Sequence, residues 1–172
     1  MATRFNITGE LTQELLAAGD NSRASSIQLT NVCQPTIPRD SIVDLYIEKK
    51  LTGKFYLLKQ IKIPFGVTLT HDIKNFNNRA NEFGLYIKLH RDTLFTLTGS
   101  IDPTASTTVT GVGTAFLTEL NIGDEIVVSN ESRVVTAIAS NTSLTVSVAT
   151  TNTANDTSPD CNPVAPVDVI LS

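Results

Sequence analysis

Ser41-Ile42-Val43-Asp44-Leu45-Tyr46-Ile47-Glu48 is the stretch on which the fold turns. Val43, Leu45 and Ile47 fall on one side of an extended chain, and Asp44, Tyr46 and Glu48 on the other. A period of two is the mark of an antiparallel strand buried on one face. The alternation recurs upstream in Ser26-Ile27-Gln28-Leu29-Thr30-Asn31-Val32, and downstream where Phe83, Leu85, Ile87 and Leu89 alternate with Gly84, Tyr86, Lys88 and His90. Gln34 to Asp40, with two prolines, reads as a loop, because proline lacks a donor and restricts its predecessor. Lys50-Leu51-Thr52-Gly53-Lys54 reads as a hairpin turn into a strand over Phe55 to Ile63. Pro64-Phe65-Gly66 breaks that strand before Val67 to Ile73, and Asn75 to Glu82 is a polar loop. Short strands punctuated at this spacing predict an antiparallel β-sandwich over residues 22–96.

Before that module, Leu11, Leu15 and Ala18 recur at i, i+4 and i+7. With Thr8 as cap and Gly19 as stop, the spacing predicts one short helix in an N-terminal arm over residues 1–21. After Leu97 the strands shorten and become richer in Thr, Val and Ser. Thr107 to Gly111, Glu125 to Val128, Arg133 to Ala139 and Leu144 to Val148 read as strands, and Thr114 to Leu120 as a single helical turn capped by Thr114. These make a small β-barrel-like module over residues 97–150, which leans on the first module or on a partner chain. Residues 151–172 read as an extended C-terminal arm. Its apolar end, Val167-Asp168-Val169-Ile170-Leu171, either returns to its own sheet or augments a neighbour's, the first being favoured.

The composition agrees with an all-β chain. Its 172 residues contain 24 Thr, 13 Ser and 13 Asn, mean hydropathy is +0.05, and only 17% are charged. That is below the roughly 25% of an average soluble protein, so uncharged polar groups carry the surface. No apolar run approaches the roughly 20 residues of a membrane helix, and Met1-Ala2-Thr3-Arg4 leads into no apolar signal, so neither membrane nor secretion is expected. Cys33 and Cys161 are read as two separate thiols, as in a reducing compartment. Net charge is −4, divided unevenly. Residues 1–96 hold 12 basic and 9 acidic side chains, and residues 97–172 hold 1 and 8. The lysines Lys49, Lys50, Lys54, Lys59 and Lys62 come with no nucleic-acid motif, so no nucleic-acid partner is expected.

No catalytic arrangement emerges. His71-Asp72 has no nucleophile elbow to complete it, and Gly111-Val112-Gly113 lacks the Lys-Ser/Thr of a phosphate loop. Asp124-Glu125 is read as a solvated turn in preference to a calcium site, and His71 and His90 lack the spacing of a ligand pair. Glu10, Glu14 and Asp20 are read as solubilising charges, while Tyr46, Tyr56 and Tyr86 are the candidates for a sugar-stacking groove. No enzyme activity, cofactor or metal is therefore expected.

Thr107-Thr108-Val109-Thr110-Gly111-Val112-Gly113-Thr114-Ala115-Phe116-Leu117-Thr118-Glu119-Leu120, then Gly123-Asp124-Glu125-Ile126, Arg133 to Ile138 and Thr142 to Val146, resembles a small β module of virion structural proteins in tailed bacteriophages. The first module, with Ile27-Gln28-Leu29-Thr30-Asn31 and Ile63-Pro64-Phe65-Gly66, is similar in architecture to the Ig-like or jelly-roll-type sandwiches of phage decoration, neck and tail proteins. It lacks the Cys-Trp-Cys core of true Ig domains. The resemblance implies a structural protein of the virion, assembled in the host cytoplasm. The first expectation is a capsid-decoration (cement) protein that bridges major capsid protein subunits as a homo-oligomer. The alternatives are a neck, tail or fibre-adaptor component and a host-carbohydrate receptor module. Contacts are expected from Pro35, Ile37 and Pro38, from Phe76 and Asn78, and from Val169, Ile170 and Leu171.

Overall fold

The computed structural model describes residues 2–10, 12–19, 23–34, 37–49, 53–77 and 82–172. It is all-β apart from one helical turn, and it forms two compact units. Unit 1 comprises Met1–Cys33, Arg39–His90 and Ala165–Ser172; unit 2 comprises Gln34–Pro38 and Arg91–Val164. The sequence places a boundary near residue 96, whereas the chain leaves unit 1 after His90 and its last eight residues return there.

Unit 1 contains β1 (Thr3–Ile7), β2 (Thr12–Leu16), β3 (Arg23–Asn31), β4 (Ser41–Lys49), β5 (Gly53–Ile63), β6 (Thr68–Asn77), β7 (Gly84–His90) and the last strand of the chain, β15 (Val167–Leu171). They form two four-stranded antiparallel sheets in a sandwich-like arrangement, ordered β1-β15-β3-β6 and β2-β7-β4-β5. Each sheet buries one face. Ile27, Leu29, Val167, Val169 and Leu171 are buried on the first, and Val43, Leu45, Leu85, Ile87 and Leu89 on the second. Asn31 satisfies a junction within this unit. Its Nδ2 donates to the carbonyls of Arg39 (2.7 Å) and Ile63 (2.9 Å), and its Oδ1 accepts from the Cys33 amide (3.0 Å).

The expected N-terminal helix is instead strand β2. Glu14 pairs with Tyr86 and Leu16 with Leu85, so Leu15 is an extra residue in a bulge. A bulge turns two successive side chains inward, and Leu15 and Leu16 are both buried. That doubling breaks the period of two that would mark the strand, while Leu11, Leu15 and Ala18 carry helical spacing in the sequence. A helix of about ten residues is marginal alone, so pairing with β7 decides the conformation.

Unit 2 contains β8 (Phe95–Thr96), β9 (Ser100–Asp102), β10 (Thr108–Val112), α1 (Phe116–Glu119), β11 (Glu125–Val128), β12 (Glu131–Ser140), β13 (Ser143–Val146) and β14 (Asp160–Asn162). They make one sheet ordered β8-β14-β11-β12-β13-β10-β9, which does not close into the expected barrel. Leu97, Ile101, Val109, Phe116, Leu120, Ile126, Val135, Leu144, Val146 and Cys161 form its core. Helix α1 lies where expected, but its cap differs. The Asn141 Oδ1 accepts from the Leu117 amide at 3.1 Å, while the Thr114 hydroxyl donates to the Asn141 carbonyl at 2.6 Å. Gly99 has φ +81°, and a Cβ there would lie 2.5 Å from the Val112 carbonyl oxygen, so the turn into β9 requires glycine.

Of residues 151–172, expected as an arm, those up to Val164 are tied into unit 2. Asp124 is buried, and its carboxylate accepts from the amides of Asn121 and Val164, each at 2.8 Å. The Glu131 carboxylate accepts from the Thr151 hydroxyl, from the amides of Thr151 (2.9 Å) and Asn152 (2.7 Å), and from Arg133. These bonds, with the Thr151 hydroxyl contributing most, hold the Glu131 carboxyl down to about 2. Asp124→Ala would leave two buried amides without an acceptor, so a loss of about 3 kcal/mol in the unfolding of unit 2 is expected by chemical denaturation. For Glu131 the folded state favours the ionised carboxylate. Its contribution is therefore complete above about pH 4.5 and fades as pH falls towards 2. Amide-exchange protection at Thr151 and Asn152 is expected to hold steady above that range and to drop within it.

Candidate interaction surface

Two edges matter in the second sheet of unit 1: β2 on one side and β5 on the other. Strand β5 is the unusual one. It has 11 residues opposite the 9 of β4, and the register slips twice, between Val43 and Leu45 and between Leu45 and Tyr46. The excess two residues are therefore two bulges. One is built by Gln60, whose φ of +49° is left-handed and whose amide donates to the Asp44 Oδ1 at 2.7 Å. Asp44 is buried, and its other oxygen lies 2.8 Å from His90 Nε2. A carboxylate from β4 thus fixes the kink in β5 while its charge faces an imidazole on β7.

Along β5 every side chain from Gly53 to Ile61 except Leu58 is exposed. Phe55 is 56% exposed and Tyr56 44%, and Leu57 and Ile61 are exposed as well. The chain continues into exposed Phe65 and Val67. Single exposed apolar residues need no explanation, but so many along one edge strand, Tyr56 on the side of Tyr46 and Phe55 and Ile61 on the side of Val43 and Ile47, mark a contact surface. Lys54, Lys59 and Lys62 stand on the same strand, which carries no acidic residue.

On the solvent face, Tyr86, Tyr46 and Tyr56 sit directly opposite one another across β7, β4 and β5. The Tyr46 ring stacks on Tyr86 at 5.6 Å and 17°, and meets Tyr56 at 5.6 Å and 52°. Lys54 Nζ lies 4.5 Å from the Tyr46 ring centre and donates to its hydroxyl, while Lys59 Nζ covers Tyr56 at 5.1 Å. Burial and the Glu14 carboxylate, which accepts from the Tyr86 hydroxyl at 2.9 Å, push that phenol up to about 12. Glu14 is therefore a partner of the ladder and not a helix-surface charge. Tyr46 is only 1% exposed, so the ladder ties three strands together and leaves Tyr56, beneath Lys59, as its most exposed ring.

The residues expected to make contacts scatter. Pro35 and Asn78 lie outside the described residues. Ile37 is buried in a segment that belongs to unit 2, and Pro38 is exposed. Phe76 is half-buried on β6. Val169 and Leu171 are buried because β15 runs between β1 and β3, the favoured of the two placements; only Ile170 is partly open, beside Arg4, Phe5 and Asn6. A strand paired on both sides has no edge to offer, so Val169 and Leu171 are corrected from contacts to core. The expected loci do not include β5, whose edge position and exposed Phe55, Leu57 and Ile61 emerge only from the strand order.

Asp124 and Glu125 are not the expected solvated turn. Arg91 forms a paired contact with Glu125 at 2.9 and 2.7 Å, and Asn162 donates to the same carboxylate. Cys33 and Cys161 are both buried thiols. Among the described residues no three His, Cys, Asp or Glu side chains converge as a metal site, and no helix is long and apolar enough to cross a membrane. No family model, curated protein or solved structure matches this chain.

Asp44→Ala tests the architecture of β5. It would remove the acceptor that holds the Gln60 bulge, so stability should fall by about 2–3 kcal/mol and protection of the Gln60 amide should be lost. Unchanged exchange at Gln60 would show that the bulge is fixed by other means.

Proposed function

We propose that this chain is a non-enzymatic structural protein of a tailed-bacteriophage particle, and that it decorates the capsid, bridging neighbouring coat subunits. The observation that carries the reading is β5, an 11-residue edge strand that keeps Phe55, Tyr56, Leu57 and Ile61 in water. Keeping such side chains hydrated is unfavourable by about 25 cal/mol per Å² of apolar surface, and covering them with another protein recovers that free energy. The phage setting comes from the resemblance of residues 107–146 to a β module of virion proteins. Unit 1, of the Ig-like or jelly-roll-type sandwich class in this reading, is a platform that holds β5, and unit 2 is a compact second body. A modest contact per copy suffices on a shell, because a lattice presents many sites and multiplies weak affinities.

The tyrosines favour this reading over a sugar groove. A stacking platform needs exposed ring faces, and the Tyr46 ring is occupied by Tyr86 on one side and by the Lys54 ammonium.

Copy number on purified particles tests the proposal. Quantitative gel analysis against the major capsid protein is expected to give hundreds of copies per particle. The purified chain should also rebind saturably to heads that lack it. A count of three, six or twelve would move the protein to the neck or tail, and glycan affinity without particle binding would overturn a structural role altogether.

A further inference from the structure

The contact strand and the acidic unit are complementary in charge, and both belong to one polypeptide. Unit 1 holds 11 basic and 9 acidic residues, and β5 carries three of the lysines with no acid. Unit 2 holds 2 basic and 8 acidic residues. Both guanidiniums of unit 2 are already committed, Arg91 to Glu125 and Arg133 to Glu131. The surface of unit 2 therefore presents carboxylates with no cation left over from its own arginines. It also leaves Val112, Ile122 and Val148 more than half exposed. An apolar, lysine-bearing strand and an apolar, acidic body suit one another.

We propose that β5 of one copy docks on unit 2 of a second copy, giving a head-to-tail self-association. The alternative symmetric contact, β5 against β5, is opposed by its own residues. It would set Lys54, Lys59 and Lys62 against the same three lysines, and the two bulges interrupt the regular edge that strand pairing requires. A contact between unlike surfaces leaves one β5 and one unit 2 open at the ends. It therefore extends until the rotation closes a ring or the chain of copies continues. Charge of opposite sign on the two faces sets the orientation and makes the association sensitive to salt. The inference rests on the reading of β5 as the contact strand. It is tested without any particle, so it and the capsid role can fail separately.

The experiment is sedimentation velocity of the full chain from about 1 to 200 µM, in low and in high salt. Association that grows with concentration, and that weakens about tenfold or more between 50 and 500 mM NaCl, is expected. Lys54→Glu/Lys59→Glu/Lys62→Glu should abolish it. Because Lys54 braces Tyr46, Lys59→Glu/Lys62→Glu is the second variant, expected to weaken association at least tenfold with an unchanged circular dichroism spectrum. The triple variant keeps its acidic unit, so mixing it in excess with the wild-type chain should shorten the wild-type oligomers. A monomer throughout the concentration range would overturn the proposal. So would an assembly indifferent to salt and charge reversal, or one that the triple variant fails to shorten.

Discussion

Strand β15 is the constraint on which unit 1 depends. Five residues at the end of the chain occupy the slot between β1 and β3, with Val169 opposite Phe5 on one side and Leu29 on the other. Each backbone group of the strand is thereby offered a partner, and Val167, Val169 and Leu171 supply the buried face. Ser172 extends the pairing through hydrogen bonds with Ser25 and Ser26. Because the partners are separated by well over a hundred residues, the first sheet closes only once β15 has joined β1 and β3, and slow, non-local folding follows from that topology. The main segment of unit 2, Arg91–Val164, is an excursion between β7 and β15. Its two ends are held together by the Asp92 amide, which donates to the Pro163 carbonyl at 2.9 Å.

With β15 placed inside, the adhesive potential of unit 1 moves to its other sheet. β15 gives β1 and β3 a common neighbour, whereas β5 is covered on one edge only. Its lysines, its bulges and the left-handed Gln60 are the devices by which natural sheets keep an edge from growing indiscriminately. What they leave available is a set of exposed side chains, with Lys54, Tyr56 and Lys62 on the side of Tyr46 and Phe55 and Ile61 on the side of Val43. Asp44 reconciles these demands, since its buried charge stands between a kinked backbone amide and an imidazole.

Much of this was legible in the sequence. The alternation of Ser41 to Glu48 and of Gly84 to His90 survives as β4 and β7, two central strands of one sheet, although in β4 Asp44 and Tyr46 on the second face are buried as well. Pro64-Phe65-Gly66 breaks the chain between β5 and β6 as its proline and glycine require. Thr12 to Leu16 misleads because a bulge buries two leucines in succession and hides the period of two, while Leu11, Leu15 and Ala18 offer the spacing of a helix face. The arm from residue 151 onward reads as loose because Thr151, Asn152 and Val164 are anchored by single side chains, Glu131 and Asp124, far away in sequence. The exposure of β5 has no local signature either: Phe55, Leu57 and Ile61 look like core until the strand order places them at an edge.

A role for this chain on a particle requires that other protein cover β5. Amine-reactive labelling resolved by mass spectrometry reads this directly, comparing the dilute chain with the chain in its assembled state. Lys59 and Lys62 should lose reactivity on assembly while Lys74 on β6 keeps its own. Equal reactivity of all three in both states would contradict the account.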